Sequence, residues 1–177
     1  DVTVRAAGNY RNQWPTGNNA FATATASVDF ALLQNRIPEF DTWGVGIMGL
    51  NDQSGNKILN NNFVSISTAY HKALDENGYH TLTVGFQGTY ANKRLDISKA
   101  TFEDMLQADG FTGTTREDFS SNTSNIHLNY FDVNAGLLYS GSTNGFNNFY
   151  LGASTYHISR PRESFKGGSY ILNQRLT

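Results

Sequence analysis

The chain has 177 residues, 38% hydrophobic and only 16% charged, with 12 Phe, 9 Tyr and 2 Trp. That balance excludes a disordered segment, and a formal net charge of −2 excludes a global field suited to nucleic acid. The absence of cysteine excludes disulfide scaffolds, thiolate metal sites and cysteine nucleophiles.

Glycine is abundant at 17 and proline scarce at 3, amid many Asn, Ser and Thr, which is the vocabulary of strands joined by turns. The chain opens at Asp1 without methionine and reads as a processed or truncated product. The longest apolar run, Trp43–Leu50, is loaded with glycine and far shorter than a spanning helix. A transmembrane barrel stays open, because its strands need only one apolar face.

Period-2 alternation, the mark of a strand, runs along the chain. In the first segment Val2, Val4 and Ala6 oppose Thr3, Arg5, Asn9 and Arg11. Over Phe21–Leu32 one face reads Ala22, Ala24, Ala26, Val28, Phe30 and Leu32, while the other reads Thr23, Thr25, Ser27 and Asp29. Trp43–Leu50 forms a third segment, and Val64 and Ile66 oppose Ser65 and Ser67 in a fourth that ends at Tyr70. From Tyr79 onward Leu82, Val84, Phe86 and Tyr90 oppose Thr81, Thr83, Gln87 and Thr89. Next, Phe131, Val133, Ala135, Leu137 and Tyr139 oppose Asp132, Asn134 and Gly136. Phe149, Leu151 and Ala153 then oppose Tyr150, Gly152 and Ser154, and Tyr170–Leu176 completes about eight strands, many of about ten residues.

Strands of that length exceed the usual globular value of about five or six. Their second faces carry Thr, Ser, Asn, Gln, Asp, Arg and Gly, which suit a wet or plugged lumen. Arg5, Arg11, Thr25, Asp29, Gln87 and Asn134 are the candidate lumen-facing residues, and the apolar alternates are expected to face lipid. Tyr10, Trp14, Tyr70, Tyr90 and Tyr139 fall near strand ends, where an interfacial girdle sits. Short turns at Asp75–Gly78 and Gly141–Gly145 contrast with a long polar stretch over Asn92–Asn125. Parity puts 12–20, 51–62, 92–125 and 158–169 outside, and 33–41, 74–78 and 140–147 on the periplasmic side.

No chemistry emerges from the motifs. His71, His80, His127 and His157 lack the spacing of a helical metal site, and Glu103-Asp104 and Glu117-Asp118 read as a solvated acidic loop rather than a calcium site. Asn51–Asn56 lacks the closing Glu of a calcium loop, Gly44-Val-Gly46 precedes no helix, and no G-x-S-x-G elbow is present. Asn122-Thr-Ser124 matches a glycosylation acceptor, a pattern short enough to arise by chance. The expectation is no catalytic residue, no metal and no cofactor.

Several strings, taken in order, resemble the PorP/SprF family of Bacteroidetes outer-membrane proteins tied to type IX secretion and gliding motility. They are Tyr10-Arg-Asn-Gln-Trp-Pro15, the small-polar strand through Asp29, Val45-Gly-Ile-Met-Gly49 and Ser67–Leu74. Asp96-Ile97 leading to Phe102, then Phe131–Tyr139, Asn148–His157 and Arg160–Phe165 complete the set. The resemblance implies an all-β, antiparallel transmembrane β-barrel in the cell outer membrane. This chain would be a single barrel domain over 1–177, contributing about eight strands, the N-terminal half or so, of a barrel of roughly fourteen. It further implies a non-enzymatic accessory or anchor aiding export or surface attachment of cargo such as gliding adhesins. The expected partners are other type IX secretion or cargo proteins, through the adhesin C-terminal domain, and the lipid bilayer with its lipopolysaccharide, but no nucleic acid. Within the long loop the candidate cargo surface is Phe102, Met105, Leu106, Phe111 and Phe119, because a solvated acidic loop needs few such apolar residues. Two other readings remain open: a porin-like diffusion channel and a soluble β-sandwich binding module.

Overall fold

The structure, a computed structural model, describes residues 4–16, 20–32, 37–55, 57–112, 115–116, 125–143, 145–165 and 168–177. Among the described residues ten strands follow in chain order: β1 (Val4–Gln13), β2 (Phe21–Leu32), β3 (Thr42–Ser54), β4 (Leu59–Ala73), β5 (His80–Asp96), β6 (Leu106–Gln107), β7 (Gly110–Phe111), β8 (Asn125–Ser142), β9 (Asn148–Tyr156) and β10 (Arg175–Leu176). Eight of them make one antiparallel sheet in the order β1-β2-β3-β4-β5-β8-β9-β10, and β6 and β7 form a separate hairpin.

Register turns the alternation into two faces. Val28 pairs with Ile47, Ile47 with Ile66, Val64 with Tyr90, Phe86 with Ala135 and Leu137 with Ala153. Directly opposite residues share a face, so these ladders place Ala22, Ala24, Val28, Phe30, Val64, Ile66, Leu82, Val84, Phe86, Val133, Ala135, Leu137, Leu151 and Ala153 on one side. Tyr10, Trp43, Tyr70, Tyr90 and Tyr139 lie there too. A slip of one residue in any strand would break the set.

The apolar side has no protein cover among the described residues. Ile66 is 59% exposed, Phe86 56% and Leu151 73%, and within the described strands of the main sheet Ala91 is the only buried aliphatic or aromatic side chain. Among the described residues substantial contacts between long strands join ladder neighbours only, and no second layer packs on the sheet. The accessible surface is 12448 Å2, against about 8,600 Å2 for a compact monomer of this size. Each large apolar side chain left in water forgoes about 1.5–3 kcal/mol, which a single-layer soluble domain cannot sustain across a whole face. A sandwich core is therefore missing from the described residues, and an apolar medium is the natural cover.

The sheet curls. One cavity of about 710 Å3 is lined from seven strands at once, including Arg5, Asp29, Gly46, Ser67, Gln87, Asn134 and Ser154. At the sheet's ends β1 pairs only with β2, and β9 meets β10 at Thr155 and Tyr156, so β1 and β10 are not laddered to each other.

Several sequence boundaries are corrected. Residues 51–62, read as an outside loop, are mostly strand: β3 runs to Ser54, β4 starts at Leu59, and the turn holds Gly55 and Lys57 at φ 60° and 68°. Side-chain amides that look like turn formers instead bond across the ladder, with Asn51 Nδ2 donating to Asn62 Oδ1 at 2.6 Å and to Asn60 Oδ1 at 3.0 Å. The long connection shortens to 97–124 because β5 continues to Asp96 and β8 begins at Asn125. Tyr170–Leu176 is not one strand. Its first half folds back on 161–163, where Glu163 N–H donates to Tyr170 O and Leu172 N–H to Pro161 O, leaving only Arg175–Leu176 on β9. The first strand is described from Val4; Val2, where it was expected to begin, lies outside the described residues.

Candidate functional site

The polar face is organised in cross-strand rows. Arg5 stands opposite Asp29, Asp29 opposite Gly46, Gly46 opposite Ser67, Ser67 opposite Gln87, and Gln87 opposite Asn134. Four of the six candidate lumen residues thus fall on a single row, and all four line the cavity. Thr25 and Arg11 lie on the same face, in rows nearer the 55–58 turn, with Arg11 opposite Thr23 and Thr25 opposite Leu50.

Chemistry along the row is hydrogen bonding between unlike partners. Arg5 Nη2 meets Asp29 Oδ2 at 2.7 Å with its Nε at 3.1 Å, and Asn134 Nδ2 donates to Gln87 Oε1 at 3.4 Å. Gly46 leaves the centre open: a Cβ there would lie 2.5 Å from Asp29 Oδ1 and 2.9 Å from Ser67 Oγ. The Arg5–Asp29 pair is well exposed on both sides and contributes about 0–1 kcal/mol. Its role is orientation rather than stability.

Toward the end of the sheet that carries the 97–124 loop, the same face fills in. Ser65, buried, shares a hydrogen bond of 2.9 Å with Thr89. Asp132 is 5% exposed and takes His157 Nδ1 at 2.9 Å and Ser159 Oγ at 3.2 Å. Lys93 Nζ lies 5.8 Å from the centroids of both Phe63 and Tyr130 and is paired with Glu163. Sequence reading missed this cluster, although Lys93 continues the polar parity of Gln87 and Thr89; Glu163 is 70 residues away, so no local pattern joins them.

At the opposite end, Asp41 caps the β2–β3 connection. Its carboxylate accepts Lys72 Nζ at 2.8 Å, Tyr70 Oη at 2.7 Å and Ala73 N–H at 2.9 Å. The Lys72 and Tyr70 hydrogen bonds, with the Ala73 amide, outweigh desolvation and hold the Asp41 carboxyl at about 2. Nearby, Asp75 accepts the amides of Tyr79 and His80, with Gly78 at φ 69°, which closes the β4–β5 turn.

In the long connection, Leu106 and Phe111 are a cross-strand pair on the β6–β7 hairpin, 59% and 61% exposed. Phe102 is partly exposed and precedes a 3-10 turn over Glu103–Met105. Met105 departs from the expected surface: it is only 6% exposed, at the end of the 3-10 turn, where its carbonyl accepts the Thr112 amide and closes the hairpin base. Phe119, Glu117-Asp118 and Asn122–Ser124 lie outside the described residues. Asp104 is held by the Arg116 amide and the Thr115 hydroxyl, which lower its carboxyl below the ordinary range, Arg116 first. It is thus tied into the loop. Among the described residues no group of three or more His, Asp or Glu is placed to hold a metal ion.

No helix of the described residues is long and apolar enough to cross a membrane. No curated protein and no solved structure matches the chain. One family model does, described as type IX secretion system membrane protein PorP/SprF, and it matches residues 1–176. A curled antiparallel sheet with a bare apolar face and a polar hollow is the architecture a strand-spanning membrane protein requires, and with that match the chain belongs to the PorP/SprF family of type IX secretion system membrane proteins.

Proposed function

We propose that this protein is an outer-membrane β-barrel of a Bacteroidetes bacterium. In this reading it serves type IX secretion as an accessory or anchor, not an enzyme, and aids export or surface attachment of cargo such as gliding adhesins. The observation that carries the membrane reading is the continuous exposed apolar face of the sheet, from Val28 through Ile66 and Phe86 to Leu151. The family supplies the link to secretion. Both open edges, β1 and the outer side of β9, leave backbone groups that cost several kcal/mol each in hydrocarbon, so further strands or a partner chain cover them. Exposed Leu106 and Phe111 on their own hairpin supply an apolar pair for the cargo's C-terminal domain or another secretion subunit. Lipopolysaccharide and lipid contact the apolar face. Deleting the gene tests the role: loss of adhesin from the cell surface is expected, and adhesin still secreted and retained would contradict it.

A porin-like channel is the second reading, favoured by the polar row around the 710 Å3 cavity. Steady ion conductance of the full-length protein in planar bilayers, with cargo attachment unaffected by deletion, would favour it.

A further inference from the structure

Where β9 ends, the chain turns onto the polar face. At His157, φ is 57°, a left-handed conformation that redirects the backbone. His157 N–H donates to Asn134 Oδ1 at 3.1 Å, so the segment is bonded directly to the polar row. His157 Nδ1 and Ser159 Oγ both reach buried Asp132, and Ile158 N–H donates to Val133 O at 2.9 Å. Pro161 is buried, and Glu163 pairs with Lys93 on β5, two strands away from β9 in the sheet. Both side chains of that pair are largely enclosed, 16% and 21% exposed, and the Lys93 ammonium is flanked by the Phe63 and Tyr130 rings. The segment therefore spans from the β9 edge, across β8, to β5, on the hollow side.

We propose that residues 157–165 are a latch that closes the loop-bearing end of the polar hollow, held shut by the Lys93–Glu163 ion pair. Its two attachments differ in kind. Near His157 the segment continues along the free edge of β8 through backbone bonds, a natural hinge. At Glu163 the ion pair to Lys93 holds the far end among the described residues, and the β5–β8 ladder beneath it is complete without the segment. Breaking the contact frees the far end and leaves the sheet intact. The Glu163–Tyr170 and Leu172–Pro161 backbone bonds make the segment one arm of a hairpin that can swing as a unit.

The inference rests on the barrel reading, and heat-modifiable gel mobility reports that reading separately from the latch. Single-channel recording of the full-length protein in planar bilayers is the test. Wild type is expected to stay mostly closed, Glu163→Gln to raise the open fraction tenfold or more, and Lys93→Glu with Glu163→Lys to return it to within about threefold of wild type. Equal conductance of wild type and Glu163→Gln, or a swap that leaves the pore open, would overturn the latch. Should either variant lose heat-modifiable folding, a Lys93→Cys, Glu163→Cys protein joined by a short reducible cross-linker decides. Joining must close the pore and reduction must open it; a pore indifferent to both would overturn the proposal.

Discussion

Asp29 and Gly46 face each other across the β2–β3 ladder, and the missing side chain of Gly46 is the space into which the Asp29 carboxylate fits beside Arg5. The clash a Cβ would create is with the far end of a rotatable side chain, so Gly46→Ala should turn Asp29 away rather than break the sheet. The expected loss is below about 1 kcal/mol, the value of an exposed ion pair. In an Asp29→Ala background the same change should add almost nothing. Urea unfolding of the four proteins in lipid vesicles reads the coupling directly.

Arginine scanning separates the two faces. Val84 is on the apolar side and Thr83, bonded to His71 at 2.7 Å, on the polar side. Val84→Arg should cost about 2–4 kcal/mol near the bilayer midplane, and Thr83→Arg much less. Folding titrations in vesicles measure both.

Acid should loosen the Asp41 end of the sheet. The folded-state carboxyl sits at about 2, below the unfolded value of about 3.9. Its contribution to stability is therefore complete above about pH 4 and is lost as pH falls toward 2. Hydrogen exchange of the 74–79 turn should accelerate over that window in wild type. Asp41→Asn should exchange fast at neutral pH and keep only the acid step of Asp75, which accepts the Tyr79 and His80 amides in the same turn.

Much of this was legible because side-chain alternation depends only on local period. The split of Thr25, Asp29, Gln87 and Asn134 from Val28, Phe86 and Val133 needs nothing beyond counting by two. Strand ends were not legible at 51–62, since Asn and Gln have the same composition in a turn as in a ladder of paired amides, and only the cross-strand partner decides. Asp41 looked like one more polar residue of a loop; its three donors come from β4, some thirty positions later. Tyr170–Leu172 alternates well enough for a strand, but its backbone groups are taken by 161–163.

The β6–β7 hairpin gives a test of the cargo surface. Leu106→Ser with Phe111→Ser should reduce cargo attachment about tenfold or more while the protein's level and heat-modifiable mobility stay unchanged. Met105→Ser should instead lower stability of the loop, because Met105 is buried.

The central claim is that the even-numbered residues of β5 from Leu82 to Tyr90 face lipid and the odd-numbered ones between them face the hollow. Since the chain has no cysteine, single Thr83→Cys, Val84→Cys, Phe86→Cys and Gln87→Cys variants can each carry one fluorophore without background. In vesicles of the full-length protein, brominated lipid should quench the label at 84 and 86 strongly and at 83 and 87 weakly. Equal quenching at all four positions, or the reverse alternation, would contradict the account.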